Sequence, residues 1–222
     1  NTGGATAENV VVDFSVSRAG GIAAGDLTLQ YFNGISYQTI PLSACGANLC
    51  GSFGGAGFPV PAGYDVTTAL QVGYVRSGVF TVNASVDGVN TATVYATAAL
   101  TVTVAPGAAA NIAANSATTI SGTAGTPASP LPSVIVTDSN GNPVSGYIVN
   151  FTPGANSGTL SGTSPATDAN GIATLGGWTL GTAAMQTVSA AGTTTLVGSP
   201  VGFTANVTAQ FDLAVNITDN RT

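Results

Sequence analysis

From Val10 onward, apolar residues come in short runs or alternate with polar ones, and turn signals separate the runs every 8 to 12 residues or so, roughly the spacing of a sandwich. This pattern predicts strands over 9–17, 26–31, 36–42, 67–75, 78–86 and 93–104. Between them lie Ala19-Gly20-Gly21, Asn33-Gly34, a Cys-containing loop followed by Gly54-Gly55, the stretch 59–63, and Asp87-Gly88. These are hairpin and corner signals, not helix connections. Ala105-Pro106-Gly107 breaks the series, and the small residues Ala108 to Ala110 lead into a second one. The second series predicts strands over 111–115, 118–121, 133–137, 146–152, 158–161, 173–180, 185–190 and 202–207, with Phe151 and Trp178 on inward-capable positions. A last alternation closes the chain: Phe211, Leu213, Val215 and Ile217 against Asp212, Ala214, Asn216 and Thr218.

The expected fold is therefore all-β. It consists of two tandem immunoglobulin-like β-sandwiches, an incomplete one over 1–105 and a second over 106–208, followed by a C-terminal orphan strand of donor type in 209–222. A length of 222 residues suffices for two modest cores of about 100 residues each. No run of 18 apolar residues suggests a membrane span. Asn1 in place of Met is expected of a processed chain or an excised segment.

Composition narrows the chemistry. Only 5% of the residues are charged, against about 25% in ordinary soluble domains, so Thr, Ser, Asn and backbone must cover the surface. The basic residues are Arg18, Arg76 and Arg221, there is no Lys or His, and the net charge is -6. Phosphate backbones need clustered cations, so nucleic acid is not an expected partner. Without His, the usual general base, most zinc sites and Ser-His-Asp chemistry are missing. No catalytic residue, cofactor or metal is expected.

Cys45 and Cys50 bracket Gly46-Ala47-Asn48-Leu49. In an oxidising compartment they would close a small disulfide. A metal or redox pair is the rival reading, but no second Cys pair, His or CxxC spacing accompanies them. Two segments, 138–142 and 168–171, contain Asp, Asn and Gly in a spacing that matches part of a calcium loop. The bidentate Glu of such a loop is absent, and the same residues make tight turns. Asn83, Asn150, Asn206, Asn216 and Asn220 begin N-glycosylation sequons, several of which arise by chance in a chain rich in Thr and Asn.

Residues 132–190 include Thr137-Asp138-Ser139-Asn140-Gly141-Asn142-Pro143-Val144, Val149-Asn150-Phe151, Thr167-Asp168-Ala169-Asn170-Gly171 and Thr187-Val188. On these motifs the span 107–208 resembles the bacterial immunoglobulin-like group 1 domain of the invasin and intimin family. Such domains are repeated stalk units of surface adhesins, so the resemblance implies a structural module at the cell surface with no chemistry of its own. The opening stretch 1–10 and the segment 72–82 are similar to conserved repeat domains of prokaryotic surface proteins. The segment 211–220 resembles the first strand of that same repeat. The resemblance implies a first domain that lacks its opening strands, which the far end of the chain carries.

A lone strand such as 211–218 has no stable isolated state. It has three possible fates: pairing with its own second domain, beginning a further domain, or inserting into the first domain of a neighbouring chain. The short link 208–210 cannot span back across two sandwiches joined end to end. Insertion in trans is donor-strand complementation, in which backbone hydrogen bonds and alternate side chains complete a sandwich. Four buried anchors, Phe211, Leu213, Val215 and Ile217, at about 1.5 to 3 kcal/mol each supply a gross driving force of several kcal/mol. Such a contact is head-to-tail and propagates into filaments. The expectation is a secreted, non-catalytic subunit of an extracellular filament or adhesive fibre, with copies of itself as partners. The alternative is a repeat from a monomeric adhesin stalk. A third class is a carbohydrate-binding module or enzyme, with Tyr31, Phe32, Tyr37, Phe53, Phe58 and Tyr64 as stacking aromatics, but no carboxylate pair accompanies them.

Overall fold

The structure, a computed structural model, describes residues 6, 9–33, 35–55, 60, 69–88, 94–95 and 99–209. Every regular element in it is a β-strand. The chain divides into two compact units, Asn1–Pro106 and Gly107–Thr222. Each unit packs two β-layers around its own core, and each is described by itself.

The first unit contains β1 (Val11–Arg18), β2 (Leu27–Phe32), β3 (Tyr37–Ile40), β4 (Ser43–Cys45), β5 (Asn48–Gly54), β6 (Leu70–Tyr74), β7 (Gly78–Asp87), β8 (Val94–Tyr95) and β9 (Leu100–Val104). One layer runs β4-β5-β1-β7, with β8 and β9 both beside β7; the other runs β3-β2-β6. Alternation does the folding here. Phe14 and Val16 on β1, Leu27 and Leu29 on β2, Ile40 on β3, Phe53 on β5, and Phe80 and Val82 on β7 face inward and form one buried cluster. Phe53 stacks on Tyr31 at 4.2 Å and lies against Phe14 at 5.8 Å, tying the layers together.

The Cys-containing stretch departs from expectation. Instead of a loop it is the hairpin β4–β5, with Gly46 at φ +69° in its turn and Ser15, Val16 and their neighbours pairing with β5. Gly51 in β5 serves close approach: a Cβ there would meet the carbonyl oxygen of Pro41 at 2.7 Å and Ile40 Cγ2 at 2.8 Å. The strand expected over 93–104 is represented by β8 and β9, whose registers on β7 are offset from each other.

The second unit contains β10 (Asn111–Ala114), β11 (Thr119–Thr123), β12 (Ser133–Thr137), β13 (Val149–Pro153), β14 (Thr159–Ser161), β15 (Ile172–Thr174), β16 (Gly177–Thr179), β17 (Met185–Gly192) and β18 (Val201–Thr208). One layer is β10-β12-β15, the other β11-β18-β17-β13, and β14 pairs with β16 at the side. The opening stretch of the unit is thus shared between layers: β10 is antiparallel to β12, while β11 runs parallel to β18. Val134 and Val136 from one layer meet Val149, Phe151, Val188, Ala190, Phe203 and Ala205 from the other, all buried. Trp178 is 1% exposed, and its indole N–H donates to the Ser157 carbonyl at 2.6 Å.

The strand expected over 173–180 is broken into β15 and β16. After buried Leu175 the chain leaves β12 and pairs with β14, and Gly176 lets its backbone pass against that of Gly162. Likewise 146–152 begins with a turn at Gly146 (φ +78°), so its strand starts at Val149.

Candidate functional site

Cys45 and Cys50 are joined by a disulfide, with Cα atoms 5.8 Å apart. It lies across the short β4–β5 turn, where Cys45 pairs with Asn48 and Cys50 with Ser43. The bond closes a hairpin at the edge of the larger layer. No thiol remains free among the described residues.

The two calcium-like segments are built to one plan. In the first, the Asp138 N–H donates to the Asn142 carbonyl at 2.9 Å and the Gly141 N–H to the Asp138 carbonyl at 3.1 Å. The second repeats this with Asp168, Ile172 and Gly171, at 2.9 and 3.0 Å. Gly141 (φ +79°) and Gly171 (φ +75°) take the left-handed position that such a turn demands. The Asp side chain braces each turn from within, its Oδ1 accepting from the N–H groups two and four residues on.

Asp138 goes further. Its Oδ2 accepts from the Gly107 N–H at 2.8 Å and from Asn142 Nδ2 at 2.9 Å, so four donors converge on one carboxylate that is 2% exposed. Burial opposes its ionisation, but the hydrogen bonds from Asn142, Gly107 and Asn140 prevail and hold the carboxyl below its ordinary value. A carboxylate offers about four acceptor positions, and all are used. The site is a turn, and no group of three His, Cys, Asp or Glu side chains among the described residues is arranged to hold a metal ion.

Two of the three basic residues meet on one acid. Asp26, 8% exposed, lies 3.9 Å from Arg18 Nε and 3.4 Å from Arg76 Nε. Arg18 also donates to the Gly21 and Ser77 carbonyls, and its guanidinium sits 6.0 Å from the Phe80 ring. These cations are committed to holding the β1–β2 and β6–β7 connections. Arg221 lies outside the described residues.

The aromatics divide. Tyr31 and Phe53 are core residues, whereas Phe32 and Tyr37 are exposed and tilt against each other at 5.4 Å near exposed Ile35. Phe58 and Tyr64 lie outside the described residues. A depression of about 460 Å³ on the outer face of β1, β5 and β7 is lined by Asp13, Ser15, Ser43, Ser52, Asn83 and Ser85, with a single carboxylate. The Asn of three sequons, Asn83, Asn150 and Asn206, is exposed mid-strand.

The donor-strand anchors Phe211, Leu213, Val215 and Ile217 lie outside the described residues. On β6, Leu70, Val72 and Tyr74 stand opposite Tyr31, Leu29 and Leu27, and so face inward. On β9, Leu100, Val102 and Val104 stand opposite Val82, Phe80 and Gly78, and face inward too. None of these six is buried: Leu70 is 42% and Leu100 59% exposed, and the rest are intermediate. The alternation of 70–74 and 100–104 was a visible signal, but whether a face is covered depends on the opposite layer.

Neither a family model nor a curated protein matches the sequence. Similar solved structures include domains 1–6 of the surface layer protein SbsC, at 20% identity and TM-score 0.37 over 88% of this chain and 22% of that one. SbsC domains 4 and 5 are similar at 19% identity and TM-score 0.35, covering 85% of this chain and 73% of that one. The D0-D1 domain of intimin is similar at 22% identity and TM-score 0.29, covering 88% of this chain and 87% of that one. The chain thus spans 22% of the SbsC structure of six domains.

Proposed function

We propose that this chain is a structural subunit of an extracellular filament or adhesive fibre, in which copies join head to tail by strand donation. The reading is carried by the closure of the second sandwich without the segment 211–217. Among the described residues its core extends to Val207, and β18 already has β11 on one side and β17 on the other. The alternating segment that follows has no open lane beside the strand it continues, yet its four apolar side chains need a sheet to lie against. A disulfide in a small hairpin supports an oxidising, extracellular setting. A non-catalytic role is supported by the commitment of Asp138 to a turn and of Arg18, Arg76 and Asp26 to loop anchoring.

Deletion of residues 209–222 tests the proposal. The full chain is expected to form fibres visible by negative-stain microscopy, and the shortened chain to stay monomeric. Fibres from the shortened chain overturn strand donation. A full-length chain that stays monomeric, with its tail open to protease, overturns the fibre and favours the adhesin stalk.

A further inference from the structure

We infer that the acceptor for the donated strand is the open side of the first sandwich, between β6 and β9, where residues 211–217 of a second copy add to the free edge of β6. This rests on the head-to-tail assembly proposed above.

The two layers of the first unit are unequal. Among the described residues the larger has five lanes, β4, β5, β1, β7 and the lane shared by β8 and β9, while the smaller has three, β3, β2 and β6. At one side the layers are joined, because β3 runs into β4 through Pro41 and Leu42. The opposite side therefore ends in β6 and β9. There the Tyr74 ring reaches Phe80 on β7 at 4.8 Å, and no described strand of the smaller layer lies beyond it. Among the described residues no strand lies opposite β9: Leu100 is exposed and Val102 half-buried, while Val104, also half-buried, packs at the margin of the core cluster. A fourth strand beyond β6 would cover all six inward positions at once.

The edge of β6 is suited to pairing. The Phe32 N–H bonds the Ala69 carbonyl, and the Val75 N–H bonds the Asp26 carbonyl. In an antiparallel ladder such residues alternate with those whose backbone groups point away from the partner. Leu70, Val72 and Tyr74 are those residues, so their N–H and C=O groups face the lane in which no described strand lies. The segment 211–217 matches in period: its four apolar residues would point inward over β9, and Asp212, Ala214 and Asn216 outward to solvent. Neither β6 nor β9 carries a charge that would oppose it.

The occupant is assigned to another copy because the chain leaves the second unit at the end opposite to where it enters. The first unit is joined covalently at Pro106–Gly107, and the second is entered beside Val197, ahead of β18. The chain leaves at Thr208, the far end of an eight-residue strand, a rise of about 26 Å. Residues 209 and 210 allow three Cα steps before Phe211, at most about 11 Å.

Cysteine pairing between full-length copies tests this. One copy carries Val72→Cys and the other Leu213→Cys or Val215→Cys, with the native disulfide intact. Mild oxidation is expected to give a disulfide-linked dimer, mapped by mass spectrometry, while Gln38→Cys on the β3 edge gives none. A separate variant, Leu100→Asp, changes an already exposed position and should weaken assembly at least about tenfold with unchanged unfolding, which corresponds to 1.4 kcal/mol. Fibres that cross-link through β3 and not β6 overturn the acceptor assignment while strand donation stands. No fibres and no cross-link with any pair overturn both.

Discussion

At the residue scale, Asp138 is the most committed polar group of the second sandwich. Replacing it with Ala removes the acceptor that four donors share, and about 3 kcal/mol of stability should be lost. Trp178 is the chain's single Trp and is buried in the same unit, so its fluorescence in a urea titration reads the change. The same substitution at exposed Asp168 should cost much less, because water can replace the lost oxygen. The pH dependence follows from the direction of the shift. The folded carboxyl lies below its ordinary value of 3.8, so its contribution is fully present above that value and is lost as the pH falls through the folded one. Unfolding midpoints of wild type and Asp138→Ala should therefore converge in acid; a constant gap down to the lowest accessible pH refutes this. Both turns were legible in the sequence, since Asp, Asn and Gly at this spacing favour them. What could not be read was the reach of Asp138 to the Gly107 amide, a contact made by tertiary folding.

At the scale of elements, Gly46 between the cysteines and Gly54-Gly55 after them predict a loop where the structure has the β4–β5 hairpin. Within it Gly51 is a packing residue, a role that depends on Ile40 and Pro41 arriving from β3. The break between β15 and β16 was hidden for the reverse reason: Ile172 to Leu180 is apolar enough for one strand, and only the approach of Gly162 to Gly176 divides it. The Cys45–Cys50 bond restrains a small loop, for which chain entropy gives about 2 kcal/mol. Cys45→Ser with Cys50→Ser should lower the stability of the first unit by that amount, followed by far-ultraviolet circular dichroism in urea. Reductant should lower the wild type to the same level and leave the variant unmoved. An effect of reductant on the variant would mean that the bond is not its target.

At the scale of the whole molecule, the break at Ala105-Pro106-Gly107 was readable because small and turn residues replace the alternation there, and the second unit's core follows from its inward positions. The far side of the first unit was not readable. Nothing in the alternation of Leu100 to Val104 tells whether a strand lies opposite; that depends on the smaller layer, whose outermost described strand there is β6. The deletion of 209–222 and the pairing of Val72 with the donated strand address this scale, and they can fail independently.

The parallel pairing of β11 with β18 has a mechanical consequence. A unit within a fibre is pulled through its two ends, and here the chain's way in and way out run side by side in the same direction, from Thr119↔Thr204 to Thr123↔Thr208. Tension then draws the two strands past each other along their length and loads the ladder in shear, so its bonds share the force. An antiparallel pair pulled from the same open end would peel apart bond by bond. In a fibre of the kind proposed, this parallel ladder would carry load along the chain.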